Sequence, residues 1–108
     1  MAAYVIVGVD VNDPEAYGDY AREVPATLEP YGGRFIVRGG AFSVLEGDWP
    51  ASRIVVLAFP GVEQATAWHE SAAYQSILPI RQQHARTHFM VAVEGADPVD
   101  PPPRATQP

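Results

Sequence analysis

Residues 31–53 read YGGRFIVRGGAFSVLEGDWPASR and residues 53–59 continue as RIVVLAF, so two strand-forming segments follow one another with no helix between them. Side chains of an extended chain alternate sides. Arg34, Ile36 and Arg38 therefore fall on one face, with Phe35 and Val37 on the other, and charge is carried by an otherwise apolar strand. Gly39 and Gly40 interrupt the alternation where a bulge or kink would fit. Phe42, Ser43, Val44 and Leu45 then resume an extended pattern, and the spacing predicts one long strand over 34–46 that ends at Glu46-Gly47-Asp48.

Working outward from this stretch, AYVIVGVD at 3–10 is rich in valine and isoleucine and predicts a first strand. Asp13-Pro14 opens a helix, with the carboxylate placed to cap free amides and the proline at the first helical position. Tyr17, Tyr20, Ala21, Val24 and Leu28 follow at helical spacing. Pro25 is expected to bend or restart that helix, and Gly32-Gly33 to end it. Downstream, Pro60-Gly61 stops the strand at 53–59. VEQATAWHESAAYQSILPIRQQHA then reads as helix, with Ala65, Trp68 and Ala72 on one stripe, Tyr74, Ile77, Leu78 and Arg81 on the next, and breaks expected at Ser71 and Pro79. THFMVAVE at 87–94 closes the domain as a strand. The order βαββαβ predicts an α+β, ferredoxin-like fold in which helices cover one face of a four-stranded antiparallel sheet.

Both faces of that sheet are apolar in the sequence. Val5, Val7 and Val9 oppose Tyr4 and Ile6, and Val55, Leu57 and Phe59 oppose Ile54, Val56 and Ala58. An antiparallel sheet with one face in water alternates apolar and polar residues, and the helices available cover only one side. A second copy of the same sheet is the simplest cover, so the pattern predicts a homodimer, sheet face to sheet face.

The 108 residues suffice for one domain, expected over 1–95, followed by a proline-rich tail at 96–108 that holds five of the eleven prolines. Such a tail lacks the apolar side chains needed to offset the entropy of ordering it, and reads as a flexible extension. Thirteen acidic residues stand against seven arginines, with no lysine and no cysteine. An acidic surface disfavours nucleic acid and anionic membranes as partners. Absent cysteine removes disulfides and thiolate chemistry, and with no basic leader at the N-terminus the chain is expected to be soluble and cytoplasmic. Every positive charge is a guanidinium, suited to two-pronged contact with carboxylate or phosphate.

Arg38 and Glu46 are the first candidates for chemistry, as an anion-binding cation and a proton-transferring carboxylate; a structural ion pair holding the strand is the equal alternative. Trp49 lies over a pocket mouth or plugs the end of the sheet. Tyr74 has a hydroxyl that could orient a substrate carbonyl, although a packed ring bonded to backbone is the commoner arrangement. Tyr17 is a further candidate for a pocket hydroxyl. His69, His84 and His88 lack the spacing of a metal site, and neither glycine pair has the pattern of a dinucleotide or phosphate loop, so no metal and no cofactor is expected.

Taken together, YGGRFIVRGG, VLEGDW, SRIVVLAFP and AWHESAAYQSILPIR, with a last strand ending VEG, resemble the DUF1330 family of the dimeric α/β-barrel superfamily over residues 4–95. The resemblance implies the same dimer, and places the family's recurring polar positions on Arg38, Glu46, Trp49, Ser71 and Tyr74. The chain departs from the commoner pattern at Ala58, where an acidic residue often stands, and at Ala73. The family brings no settled function. Three readings stay open: a cofactor-free enzyme acting on a small carbonyl- or carboxylate-bearing molecule by acid/base chemistry, a non-catalytic small-molecule-binding dimer, and a purely structural dimer.

Overall fold

The computed structural model describes residues 2–96. Met1 and residues 97–108, which include nearly all of the expected tail, lie outside the described residues.

Seven elements follow in the order β1 (Ala3–Val11), α1 (Pro14–Leu28), β2 (Arg34–Arg38), β3 (Arg53–Phe59), α2 (Val62–Glu70), α3 (Ala72–His84) and β4 (Ala85–Glu94). The strands form one sheet in the order β2-β3-β1-β4, every neighbouring pair antiparallel. This is the ferredoxin-like arrangement. Two of the helices have a side-chain cap at their start: Asp13 Oδ1 accepts from Ala16 N at 3.2 Å ahead of Pro14 to open α1, and Ser71 Oγ accepts from Tyr74 N at 3.2 Å to open α3. Ser71 thus separates α2 from α3, whereas Pro25 and Pro79 lie inside uninterrupted helices.

The helices cover one face of the sheet. Val5, Val7, Val9, Val55, Leu57 and Phe59 are buried there against Tyr20, Val24, Leu28, Ala65, Trp68, Tyr74 and Leu78. Trp68 is the centre of this layer, its ring 4.1 Å from that of Tyr74 and 5.5 Å from that of Phe59. Its indole N–H donates to Thr27 Oγ1 at 3.0 Å, so the polar end of a fully buried side chain is satisfied. On the other face, Ile36, Val91 and Val93 are exposed, and Tyr4, Ile6, Ile54 and Val56 are half-buried.

β2 is shorter than the sequence predicts, and its irregularity lies elsewhere. Phe35 pairs with Leu57 and Val37 with Val56, so Ile36 is an extra residue in the ladder. The bulge stands at Ile36, ahead of the glycines, and it turns everything after it by one side-chain step. Arg38 pairs with Val55 and shares the helix-covered face with Phe35, not the open face expected from strict alternation. Beyond Gly39 (φ 75°), residues 40–52 form no strand within the chain; they make an arm on which Phe42 and Val44 are exposed and Leu45 is 91% exposed.

The arm returns to the sheet at its far end. Trp49 packs edge-on against Phe89 (5.0 Å), which lies over Gly8, where a Cβ would come within 2.6 Å of the Phe89 ring. Ser52 N donates to Asp10 Oδ1 at 2.6 Å, and the other Asp10 oxygen is 2.7 Å from His88 Nε2, on the residue that bulges from β4 opposite Gly8 and Val9. The His88 contact, followed by the bonds from Ser52, lowers the Asp10 carboxyl from 3.8 to about 2. A depressed carboxyl stabilises the folded state above its unfolded value and stops doing so as pH falls through its folded one. The melting-temperature deficit of Asp10→Asn against the native chain is therefore expected near neutral pH and should close as pH falls from about 4 to about 2.

Candidate functional site

Between the helices and the covered face of the sheet lies a cavity of about 30 Å³, walled by Val7, Val24, Leu57, Trp68 and Met90 and bordered by Tyr17, Tyr20 and three arginines, Arg38, Arg53 and Arg81. Among the described residues no carboxylate lines it. A space otherwise lined by valine, leucine and aromatic rings is thus bordered by three permanent positive charges, each brought there by a different element, with Arg81 buried, Arg53 half-buried and Arg38 exposed at the rim.

Arg38 arrives through the bulge at Ile36. Its guanidinium lies 4.1 Å from the centre of the Phe35 ring, and Nη2 donates to Ala21 O at 2.9 Å. That carbonyl is available because Pro25, four residues on, has no N–H to offer it. Pro25 inside α1 and Arg38 at the end of β2 are complementary: one withholds a donor and the other supplies it.

Arg53 opens β3 on the same face as Val55 and Leu57, with its guanidinium 5.8 Å from the Tyr17 ring. Gly39 makes room for it, since a Cβ there would run into the Arg53 guanidinium, and its positive φ is itself unfavourable for any other residue. Arg81 projects from α3 and is only 6% exposed. Among the described residues its side chain makes one hydrogen bond, to the Met90 thioether, Nη1 to Sδ at 3.4 Å, a weak acceptor. Among the described residues the Nε groups of both Arg53 and Arg81 are buried without a partner. Neither arginine forms an ion pair among the described residues.

Tyr20 lines the cavity and its hydroxyl is 2.8 Å from that of Tyr74. Burial raises both phenols above their ordinary value, for Tyr20 reinforced by Tyr74, while the Arg81 charge pulls the other way. Both therefore remain protonated and act as hydrogen-bond donors and acceptors, not as bases. Arg81, Trp68 and Met90 also line a second, more open chamber of about 280 Å³ with Val5, Ala65, Thr66, His69 and Ala92. The two spaces share Trp68, Arg81 and Met90 as walls.

The residues singled out from sequence fall in three places. Arg38 and Tyr17 border the cavity. Ser71 caps α3 and also donates to Trp68 O at 2.7 Å, and the fully buried Tyr74 stands behind Tyr20. Glu46 and Trp49 line a shallow groove on the arm with Phe42, Val44 and Ile54. Arg38 and Glu46 make no contact, so the expected pair does not form within the chain. Arg53, Arg81 and Tyr20 were missed as candidates, yet the two arginines had a signal: Arg53 alternates in phase with Val55, Leu57 and Phe59, and Arg81 shares a helical stripe with Tyr74, Ile77 and Leu78.

Fold and cavity together define a class, a ferredoxin-like α+β protein with a cationic chamber between helices and sheet. The chain belongs to the DUF1330 family, a domain of unknown function, whose model matches residues 2–96. No curated protein matches it. Among solved structures it is similar to RPA0582 of Rhodopseudomonas palustris, a protein of unknown function (18% identity, 90% of this chain and 84% of that one, TM-score 0.68). It is also similar to HapK from Hahella chejuensis (16% identity, 94% and 99% covered, TM-score 0.61). A third is a provisionally named antibiotic biosynthesis monooxygenase from Nitrosomonas europaea (15% identity, 92% and 94% covered, TM-score 0.54). At these identities the likeness is one of fold.

The link between Pro25 and Arg38 is measurable. Pro25→Ala restores a helix donor to the Ala21 carbonyl and is expected to raise stability by about 1 kcal/mol or more. In a double-mutant cycle with Arg38→Met, urea unfolding should give a coupling energy on the order of 0.5 kcal/mol or larger; strict additivity would mean the two share no carbonyl.

Proposed function

We propose that this protein binds a small organic anion, a carboxylate on an apolar body, in the chamber between helices and sheet, and acts on it by acid/base chemistry without a cofactor. The observation that carries the reading is the set of partnerless donors: the Nε groups of Arg53 and Arg81, buried on two residues that border a cavity lined by no carboxylate among the described residues. A buried cation without a counter-ion costs several kcal/mol, and folds that keep one supply a partner from elsewhere. A carboxylate is such a partner, because its two oxygens match the fork of a guanidinium.

The dimensions select the ligand. About 30 Å³ accommodates the oxygens of one anionic group, while the adjoining 280 Å³ takes a body of roughly one ring. Tyr17 and Tyr20 add hydroxyls at the charged end, which suits a carbonyl beside the carboxylate. A non-catalytic binder is the second reading, favoured by one specific feature: the Tyr20–Tyr74 pair is held protonated, so the inner chamber alone holds no proton acceptor.

The open face of the sheet fits a second copy of the chain. Ile36, Val91 and Val93 on the sheet, with Phe42, Val44 and Leu45 on the arm, are large apolar side chains left in water by one protomer. Glu46 and Trp49, carried on that arm, belong with this contact rather than with the cavity of their own chain. Sedimentation at micromolar concentration is expected to give twice the 11.7 kDa of one chain; a single-chain mass would remove the dimer.

Arg81→Met separates a binding site from a structural one. Replacing an unpaired buried cation by an apolar side chain of similar length should raise the stability of the ligand-free protein by about 1 kcal/mol or more. It should also abolish the rise in melting temperature that aromatic or aliphatic 2-oxo acids give the native chain. Heavy destabilisation by Arg81→Met, with no carboxylate stabilising the native protein, would make the arginine architectural.

A further inference from the structure

The inner chamber lacks a proton acceptor, but the outer one has a candidate. His69, near the end of α2, is half-buried, with its ring 5.4 Å from that of Tyr74 and 6.3 Å from that of Trp68. These contacts fix the ring against the wall of the 280 Å³ chamber, where Arg81 forms another part of the lining. Among the described residues neither ring nitrogen has a hydrogen-bond partner; the only bond at His69 is from Gln75 to its backbone carbonyl, at 2.7 Å. The imidazole is therefore held in place without being occupied.

The charges around it favour the neutral form. Burial lowers the affinity of the ring for a proton, the Arg81 cation lowers it further, and Glu70 on the same helix opposes both. Tyr74, the other titratable group packed on the ring, stays protonated and uncharged. At neutral pH the lone pair of the ring is free.

Resting on the anion-site reading above, we infer that His69 is the proton-transfer group for a ligand whose carboxylate is held by Arg81, and that the substrate class is a one-ring 2-oxo acid with an acidic C–H beside its carbonyl. The imidazole nitrogen takes that proton. The C–H electron pair becomes a C=C bond and the carbonyl π pair moves to oxygen, giving an enolate whose charge faces Arg81. Return of the proton from imidazolium to the enolate oxygen gives the enol and regenerates neutral His69. Atoms and charge balance, and no oxidant or reductant enters. This is the role that the sequence suggests for Glu46, carried instead by a residue that shares a chamber with a guanidinium.

Phenylpyruvate is a suitable probe, since it combines one ring, a ketone, a carboxylate and exchangeable methylene protons. Binding is read from the rise in melting temperature and proton abstraction from loss of the methylene signal by NMR in deuterated buffer. The native protein is expected to bind the probe and accelerate exchange. His69→Ala should bind within about 3-fold of native while losing on the order of 100-fold in exchange rate, partly restored by added imidazole. His69→Gln, which keeps the packing on Tyr74, should behave alike without needing a refilled hole. Absence of phenylpyruvate binding by the native chain would overturn the anion site and this proposal with it. Binding without acceleration, or His69 variants as fast as native, would overturn the role of His69 and leave the anion site standing.

Discussion

A guanidinium cannot give up its proton at any physiological pH, so once buried it must be satisfied where it stands. Three guanidinium groups border the space between the helices and the sheet, that of Arg81 buried, that of Arg53 half-buried and that of Arg38 at the exposed rim, and much of the local architecture exists in relation to them. The bulge at Ile36 sends Arg38 inward, Pro25 leaves a carbonyl for it, Gly39 clears the path of Arg53, and Met90 offers Arg81 only a thioether. The Arg38 requirement is met by backbone. The Nε groups of Arg53 and Arg81 are left over among the described residues, and the proposed anion site rests on that remainder.

The exterior has the opposite character. The chain as a whole carries a formal charge of −6, so an approaching anion meets net repulsion at long range and finds three guanidinium groups together at the cavity. Within salt of physiological strength the repulsion extends about 8 Å beyond the surface. Such an arrangement favours ligands whose apolar body gains from burial over those that bring charge alone, and it discourages multiply charged ions.

Much of the fold was legible because its signals are local. The capping aspartate before Pro14, the Ser71 break, Pro60-Gly61 and the valine-rich strands each determine structure within a few residues, and the element order followed from them. The open apolar face was equally readable, since alternation in β1 and β3 is regular over their whole length. What escaped the sequence was register. A bulge is fixed by pairing across strands, here Val37 against Val56, and no feature of RFIVR distinguishes a bulge at Ile36 from one at the glycines. Arg38 was consequently assigned to the wrong face and given Glu46 as a partner, when the nearest acceptor was a carbonyl seventeen residues earlier on α1. Pro25 and Pro79 failed as helix breaks for a related reason: tertiary packing along α1 and α3 outweighs the loss of one hydrogen bond each. Arg53 and Arg81 were visible as charges in apolar phase, but a single polar residue on such a stripe more often marks the edge of a core than its centre.

The bulge at Ile36 also changes what a difference in chain length means in this segment. Because Ile36 is an extra residue in the ladder, a chain one residue shorter between Phe35 and Arg38 would pair regularly and keep its guanidinium on the Phe35 face, whereas a chain of this length paired without the bulge would send it to the open side. Among related chains, then, an arginine is equivalent to Arg38 either three positions after the aromatic residue with a bulge or two positions after it without one. A gap of one position here is not neutral padding in a loop; length and bulge together decide which of the two surfaces of the sheet receives the charge.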